Sequence, residues 1–98
     1  MKYAVRIREE AEVDLSDAAI WYEQQQPGLG HEFLDSALSL LHALPQNPLQ
    51  YPAIHKNVRR ALLGRFPFGI YYSVEPKHII VYAVMHASRH PRRWRSRT

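Results

Sequence analysis

The feature that most constrains this chain is a series of three strand-like segments packed into the stretch between Val58 and His86. The segments are Val58–Arg65, Phe68–Val74 and His78–His86. Each is rich in the β-branched and aromatic residues that favour strands, and Pro67 and the turn Glu75-Pro76-Lys77 separate them. Because connections this short join antiparallel neighbours, the stretch predicts an antiparallel meander.

The N-terminal part of the chain predicts a strand followed by a helix. Residues Lys2–Arg8 alternate apolar and polar side chains, as a half-buried strand does. From Glu9 the period changes, and apolar residues recur at helical spacing: Ala11, Leu15, Ala18, Ala19 and Tyr22. This helix is expected to end within Gln24–Gln26, ahead of Pro27.

A second helix is predicted from about Leu29 to Leu44. The Pro27-Gly28 pair before it is a turn signal, and Pro45 stops it. Two amphipathic helices with so short a connection form an antiparallel hairpin. Asn47–Asn57 is expected to be an extended loop. The order is therefore β-α-α-β-β-β, an α+β fold with the helical hairpin packed on a small antiparallel sheet.

Length and composition limit the class of protein. The chain has 98 residues, which suits a single domain spanning residues 1–98. Cysteine is absent, which excludes disulfides and thiolate metal sites and indicates a reducing compartment. The histidines lack ligand spacing, so no metal or other cofactor is expected. Without a signal peptide or a bilayer-spanning apolar run, the chain is expected to be cytoplasmic.

Charge divides the chain into an acidic and a basic half. Residues 1–50 hold three basic residues against eight acids, whereas residues 51–98 hold ten basic residues against Glu75 alone. Five of the arginines lie between Arg89 and Arg97. A chain polarised in this way is expected to present its basic side to an anionic partner, such as a phosphate backbone or an acidic protein surface.

The sheet face turned away from the helices is expected to be concave and open. With simple alternation along the strands, it would carry Arg59, Arg65, Gly69, Tyr71 and Ser73. A slip of one residue in the register would exchange the two faces.

Four motifs follow one another along the chain. The helical half contains A-x-x-D-L-x-x-A-x-x-W-Y-E from Ala11 to Glu23 and P-G-L-G-x-x-F from Pro27 to Phe33. The strand half contains R-R-x-L-x-x-R-F-P-F-x-I-Y-Y from Arg59 to Tyr72 and V-M-H-x-S-R-H-P-x-x-W from Val84 to Trp94. In this order they resemble the RelE/ParE superfamily, the toxins and plasmid stabilisation proteins of bacterial type II toxin–antitoxin systems.

The resemblance implies a toxin that is held inactive by a small antitoxin encoded beside it. Antitoxins of this superfamily wrap an extended, often acidic segment around the toxin. The target differs between branches, since one cleaves mRNA in the ribosomal A site and another poisons DNA gyrase. The expected partners are therefore a cognate antitoxin with an acidic C-terminal segment, and either the ribosome with its mRNA or gyrase.

Metal-independent RNA cleavage needs an acid, a base and a clamp for the phosphate. His86 is the candidate acid or base by its intrinsic pKa, and Arg65 and Arg89 are the candidate clamps. In RelE-like ribonucleases, arginines at roughly these positions bind the phosphate. Several members use a lysine pair or a glutamate as base around the first meander strand, where this chain has only His55 and Lys56.

A second set of residues is predicted to bind nucleic acid or the antitoxin: Arg59, Arg60, Tyr71, Arg92, Arg93 and Trp94. Tyr71 or Trp94 could stack a base, and the arginines around Trp94 could supply a charged surface for gyrase.

Structural alternatives remain for several of these residues. His86 could simply end a strand, and one of Arg59 and Arg60 could pair with a carboxylate of the first helix. Trp21 and Tyr22 are interpreted as packing residues between helix and sheet. Pro91–Arg97 is expected to be a mobile flank.

The sequence thus favours a superfamily toxin that acts by ribosome-dependent mRNA cleavage. The first alternative is a ParE-like toxin that inhibits DNA gyrase without catalysis. The second is a degenerate toxin that acts only as an antitoxin-binding module.

Overall fold

Two long helices pack on one face of a five-stranded sheet in the computed structural model, which describes residues 3–98. The strands are β1 (Ala4–Ile7), β2 (Ala53–His55), β3 (Val58–Leu62), β4 (Phe68–Val74) and β5 (His78–His86). The helices are α1 (Glu9–Gln25), α2 (Leu29–Ala43) and the short α3 (Arg92–Arg95), with a 3-10 turn at Leu44–Gln46. The predicted α+β class is confirmed. Lys2, which was predicted to begin the first strand, lies outside the described residues.

The sheet is mixed, which corrects the prediction of a purely antiparallel one. Its strand order is β1-β5-β4-β3-β2. The strands from β2 to β5 form an antiparallel meander, whereas β1 runs parallel to β5, with Ala4 opposite His78 and Ile7 opposite Val81. The last strand of the meander, β5, therefore lies next to β1, the first strand of the chain.

Two boundaries in the meander differ from the prediction. Ala53–His55 forms β2 within the expected loop, because a tight turn at Lys56 and Asn57 folds it back onto β3. Lys56 takes a positive φ of 51° in this turn. The strand predicted to reach Arg65 ends at Leu62, so Arg65 lies in the connection to β4.

The main core lies between the helical hairpin and the sheet. Tyr22, Phe33, Phe66 and Phe68 form an aromatic cluster there, with ring centroids 4.9 to 5.9 Å apart. Such pairs add to the free energy that their buried area contributes. Tyr22 therefore has its predicted packing role, whereas Trp21 on the same helix is 56% exposed.

The two long helices approach closely at Gly30. A Cβ there would collide with the Ala19 carbonyl oxygen of α1. The Glu23 carboxylate accepts hydrogen bonds from the backbone N–H groups of Gly28 and Gly30, at 2.9 and 3.1 Å for the shorter contacts. The Pro27-Gly28 turn is thus fixed by a side chain of the preceding helix, and Gly28 has a φ of 89° that favours glycine.

The opposite face of the sheet is covered, which corrects the prediction of an open face. A second buried cluster lies there, made of Val58, Tyr71, Ala83 and Trp94. Tyr71 is 1% and Trp94 4% exposed, and Ser73 is fully buried. The segment expected to be mobile therefore forms α3 and packs on the sheet through Trp94.

An irregularity interrupts the pairing of β4 with β5. Tyr72 lies opposite Val81 and Tyr71 lies opposite Ala83, so Tyr82 is an extra residue in β5, a β-bulge. No helix within residues 3–98 is both long and apolar enough to cross a membrane.

Candidate functional site

A cleft of about 1120 Å³ opens where α1, the end of β5 and the C-terminal segment meet. Its lining residues are Asp14, Asp17, Ala18, Trp21, Tyr22, Pro67, Phe68, Val84, Met85, His86, Arg89, Arg92, Arg93, Ser96 and Arg97. The helix α1 contributes both carboxylates and aromatic rings to this lining, and the segment after β5 contributes the basic rim, which we define as Arg89, Arg92 and Arg93.

His86 ends β5 and contributes its half-buried ring to this cleft. The ring packs edge-on against Phe68, with centroids 5.6 Å apart. The backbone N–H of Ser88 donates a hydrogen bond to His86 Nδ1 at 3.1 Å, and Ser88 Oγ lies 2.7 Å from the same atom. Because Nδ1 accepts a hydrogen bond, the proton of the neutral ring is assigned to Nε2.

Arg89 follows in the turn after β5 and lines the same cleft as His86. Its backbone N–H donates to the His86 carbonyl oxygen at 2.9 Å, which fixes the turn, while its side chain is exposed. Arg92 and Arg93 begin α3 and are also exposed. The structure thus brings together two of the three predicted catalytic residues and two of the predicted binding arginines.

Arg65, the third predicted catalytic residue, does not line the cleft. Its Nη2 forms an ion pair with Glu32 Oε1 of α2 at 2.8 Å, and its guanidinium lies 5.5 Å from the Phe66 ring centroid. Both partners of the ion pair are largely exposed.

Arg59 and Arg60 lie on opposite faces of β3, as alternation predicts, and neither lines the cleft. Arg59 is opposite Tyr72 on the helix-covered face and donates hydrogen bonds to the carbonyl oxygens of Leu49 and Tyr51. It therefore anchors the loop before β2. The prediction that Arg59 and Tyr71 share a face of the sheet is wrong. Arg60 packs its aliphatic chain over Gly69, where a Cβ would lie 2.9 Å from Arg60 Cγ.

Tyr71 and Trp94 stack on each other, with ring centroids 5.1 Å apart and planes inclined by 21°. Their predicted exposure is therefore wrong, because each covers the face that a base would need. The ring of His55 lies next to Trp94, with ring centroids 6.0 Å apart. Burial, with the nearby charges of Arg95 and Lys56, lowers the pKa of His55.

An ion pair between Asp14 and Arg97 contributes to the lining of the cleft and was not predicted from the sequence. The guanidinium of Arg97 binds both carboxylate oxygens, at 2.6 and 3.2 Å, and also donates to the Tyr82 carbonyl oxygen at 3.1 Å. Asp14 Oδ2 also accepts the backbone N–H of Val84 at 3.0 Å. The two residues are 83 positions apart, so no local spacing could have signalled the pair.

Comparison with known sequences decides the family. The model of the family described as "ParE toxin of type II toxin-antitoxin system, parDE" matches residues 5–91. The chain belongs to the ParE toxin family. No curated protein matches it significantly.

A solved structure of the "Chromosomal ParDE TA system from P. aeruginosa" is similar in fold to this ParE-family chain. The TM-score is 0.79 at 20% sequence identity, and the match covers 87% of this chain and 96% of that one. It therefore supports the two-helix, mixed-sheet architecture described above.

In this ParE-family toxin the cleft offers ion-pairing groups, an exposed indole and a hydrogen-bonded imidazole. Within residues 3–98 there is no cluster of three or more histidine or carboxylate side chains that could hold a metal ion. The charged and apolar groups of the cleft suit recognition of a partner, and the His86 ring is the group in it that suits proton transfer.

Proposed function

We propose that this ParE-family toxin stops growth by binding DNA gyrase through the cleft, without catalysing a reaction. The observation that carries the proposal is the hydrogen bond from the Ser88 backbone N–H to His86 Nδ1. A general base needs a free lone pair within reach of the proton that it removes. With Nδ1 occupied and Nε2 protonated, the His86 ring offers no such lone pair to a ribose hydroxyl.

The positions of the other predicted catalytic groups support the same proposal. Arg65 is paired with Glu32 away from the cleft, so Arg89 lacks its expected companion on a scissile phosphate. The two aromatic residues expected to stack a base are stacked on each other.

The composition of the cleft suits a protein partner. Arginine and tryptophan are the residues most enriched among those that dominate binding energy at protein interfaces. Here the basic rim and the exposed indole of Trp21 line the same cleft. A target segment could therefore gain ion pairs and apolar burial at once.

The decisive experiment incubates the purified toxin with gyrase and relaxed plasmid. We expect loss of supercoiling or accumulation of cleaved plasmid. The variant Arg89→Glu/Arg93→Glu should lose the effect, whereas His86→Gln, which removes the imidazole, should keep most of it. Full supercoiling in the presence of excess toxin, together with specific mRNA cleavage in induced cells, would overturn the proposal.

Ribosome-dependent RNA cleavage is the second candidate, and one observation favours it: His86 and Arg89 line the same cleft. If the ribosome displaced Ser88 from Nδ1, the ring would regain a basic nitrogen. Under this alternative, His86→Gln should abolish both toxicity and mRNA cleavage while the protein stays folded. Induction that leaves growth unchanged would contradict both candidates and favour a degenerate toxin.

A further inference from the structure

A second cavity, of about 430 Å³, lies between the turn that joins β2 to β3 and the end of α3. We call it the turn cavity and define it by its lining residues: His55, Lys56, Asn57, Val58, Tyr82, Arg95 and Thr98. It shares no lining residue with the cleft. The short helix α3 contributes to both, because Arg92 and Arg93 line the cleft whereas Arg95 lines the turn cavity.

Two positive charges meet at the ring of His55 in the turn cavity. Burial lowers the pKa of His55 most, and the charges of Arg95 and Lys56 lower it further, which shows that both lie close to the ring. Within residues 3–98 neither cation forms an ion pair with a carboxylate. Like charges so close repel each other, so an anion placed between them would gain from both.

The aromatic ring of Trp94 positions two of these groups. The Arg95 guanidinium carbon lies 5.5 Å from the Trp94 ring centroid, and the His55 ring centroid lies 6.0 Å from it. Trp94 is itself 4% exposed and stacked on Tyr71. A site whose side chains are held in this way loses less conformational entropy when a ligand binds.

The third group, Lys56, has an unfavourable backbone conformation. Its φ of 51° lies in the left-handed region, which glycine adopts readily and other residues seldom do. Residues held in such conformations cost free energy and cluster at ligand sites. A lysine at a position that suits glycine therefore points to a ligand for its ammonium group.

The chemistry of the turn cavity identifies a phosphate group as the ligand that fits it. A guanidinium binds phosphate oxygens through two parallel N–H groups, an ammonium acts as a point charge, and a neutral imidazole donates one further hydrogen bond. Glu75, the one acid among residues 51–98, does not line the cavity and accepts a hydrogen bond from Ser73 Oγ at 3.1 Å. The volume exceeds that of a phosphate group, so a small organic substituent fits as well.

We propose that the turn cavity binds a phosphate dianion between Lys56 and Arg95, either as inorganic phosphate or as the phosphate group of a small monoester. The bound group joins the β2–β3 turn to α3 and so holds α3 on the sheet. This proposal uses no lining residue of the cleft and does not rest on the proposed function. Loss or retention of gyrase inhibition therefore leaves it unaffected.

Nuclear magnetic resonance titration of the purified toxin at constant ionic strength and about pH 8, where a monoester carries two negative charges, tests the ligand. Inorganic phosphate should bind with a Kd of about 1 mM and shift the His55 ring signals. It should also raise the pKa of His55, because it offsets the two neighbouring cations. Tighter binding of ribose 5-phosphate would identify an organic monoester as the ligand, whereas equal or weaker binding would identify inorganic phosphate. Equal binding of dimethyl phosphate, which models the singly charged diester of nucleic acid, would overturn the proposal, as would unchanged His55 signals.

Two lysines in turns provide matched variants. Lys56→Gly removes the ammonium group and suits the positive φ, so phosphate should bind about tenfold more weakly while the thermal midpoint stays the same or rises. Lys77→Gly makes the same change in the exposed turn between β4 and β5, outside both cavities, and should weaken binding less than about twofold. Equal weakening by the two variants would overturn the proposal.

Hydrogen exchange tests the effect of the ligand on α3. The Arg95 backbone N–H donates to the Pro91 carbonyl oxygen at 2.9 Å, so it exchanges when α3 opens. At a phosphate concentration of about ten times the Kd, it should exchange about tenfold more slowly in the unmodified toxin and at most about twofold more slowly in Lys56→Gly. Equal slowing in the two proteins, or no slowing in the unmodified toxin, would overturn the proposal.

Discussion

On one face of the sheet, two helices of 17 and 15 residues bury an aromatic cluster, and on the other a four-residue helix buries one tryptophan. The layer formed by α1 and α2 is held by many apolar side chains that recur at helical spacing along both helices. The second layer depends on Trp94 and on the Asp14–Arg97 ion pair that fixes the segment after it.

The difference teaches which part of the molecule can change conformation at low cost. Short elements with few buried contacts open at lower free energy than elements that share the main core. We therefore expect α3, which carries two arginines of the basic rim, to open locally while the helical hairpin stays folded. Four substitutions test this comparison of the two faces, in order of decreasing effect on stability.

Phe33→Ala should have the largest effect, because Phe33 is fully buried at the centre of the aromatic cluster. Removing its ring leaves a cavity between α2 and the sheet. We expect the free energy of unfolding to fall by about 4 kcal/mol. Chemical denaturation followed by circular dichroism measures it. A loss below that of Trp94→Ala would contradict the ranking of the two faces.

Trp94→Ala should lower the free energy of unfolding by about 2 kcal/mol. This is less than the loss for truncating a fully buried aromatic side chain, because α3 can detach as a unit.

A second experiment keeps Trp94. In a Trp21→Phe background Trp94 is the sole tryptophan, so its fluorescence reports the docking of α3. As denaturant is added, we expect the emission of Trp94 to shift to the red before the circular dichroism signal of α1 and α2 is lost. Coincident transitions would show that the two faces unfold together.

Asp14→Ala should cost about 1.5 kcal/mol, since it removes an ion pair that is mostly buried and leaves the Val84 N–H without its acceptor. Glu32→Ala is the matched control, because it breaks the exposed pair with Arg65 and should cost under about 1 kcal/mol. Thermal unfolding of both variants measures the difference. Equal losses would show that burial adds nothing to the Asp14 pair.

Tyr72→Phe should cost about 1 kcal/mol at neutral pH, because the buried hydroxyl donates to the Pro48 carbonyl oxygen at 2.6 Å. Burial raises the pKa of Tyr72 to about 12. The unfolded chain loses this proton near pH 10, so stability is complete below about pH 10 and declines as the pH rises toward the folded value.

The phenylalanine variant should therefore show a smaller alkaline decline in its unfolding midpoint than the unmodified chain. Part of the decline should remain, because burial also raises the pKa of Tyr22. Identical pH profiles for the two proteins between pH 9 and 11 would contradict this assignment.

Much of the fold could be predicted because its evidence is local. Helical spacing located α1 and α2, and the turns around Pro67 and Pro76 located β4 and β5. The neighbour of β1 could not be predicted, since pairing with β5 joins segments more than 70 residues apart. β2 was missed because three residues between Pro52 and Lys56 show no strand pattern of their own.

The candidate site was predictable only where it follows a strand. His86 and Arg89 were correctly expected at the end of β5, because an apolar run ended there. Arg65 was assigned to a strand that ends three residues earlier. Trp94 gave no sign of burial, since it is a lone aromatic residue among arginines and its stacking partner, Tyr71, lies in a different strand.

The extra residue in β5 has a genetic consequence. Tyr82 is a one-residue surplus, so Val81 and Val84 both face the hairpin although they are three positions apart. A codon lost at Tyr82 would straighten the strand and leave Val84 and His86 facing as they do now. A codon lost from β4, which has no surplus between Phe68 and Tyr71, would reverse the side chains beyond it. Loss of one residue should therefore be tolerated at the bulge and eliminated in the strand beside it.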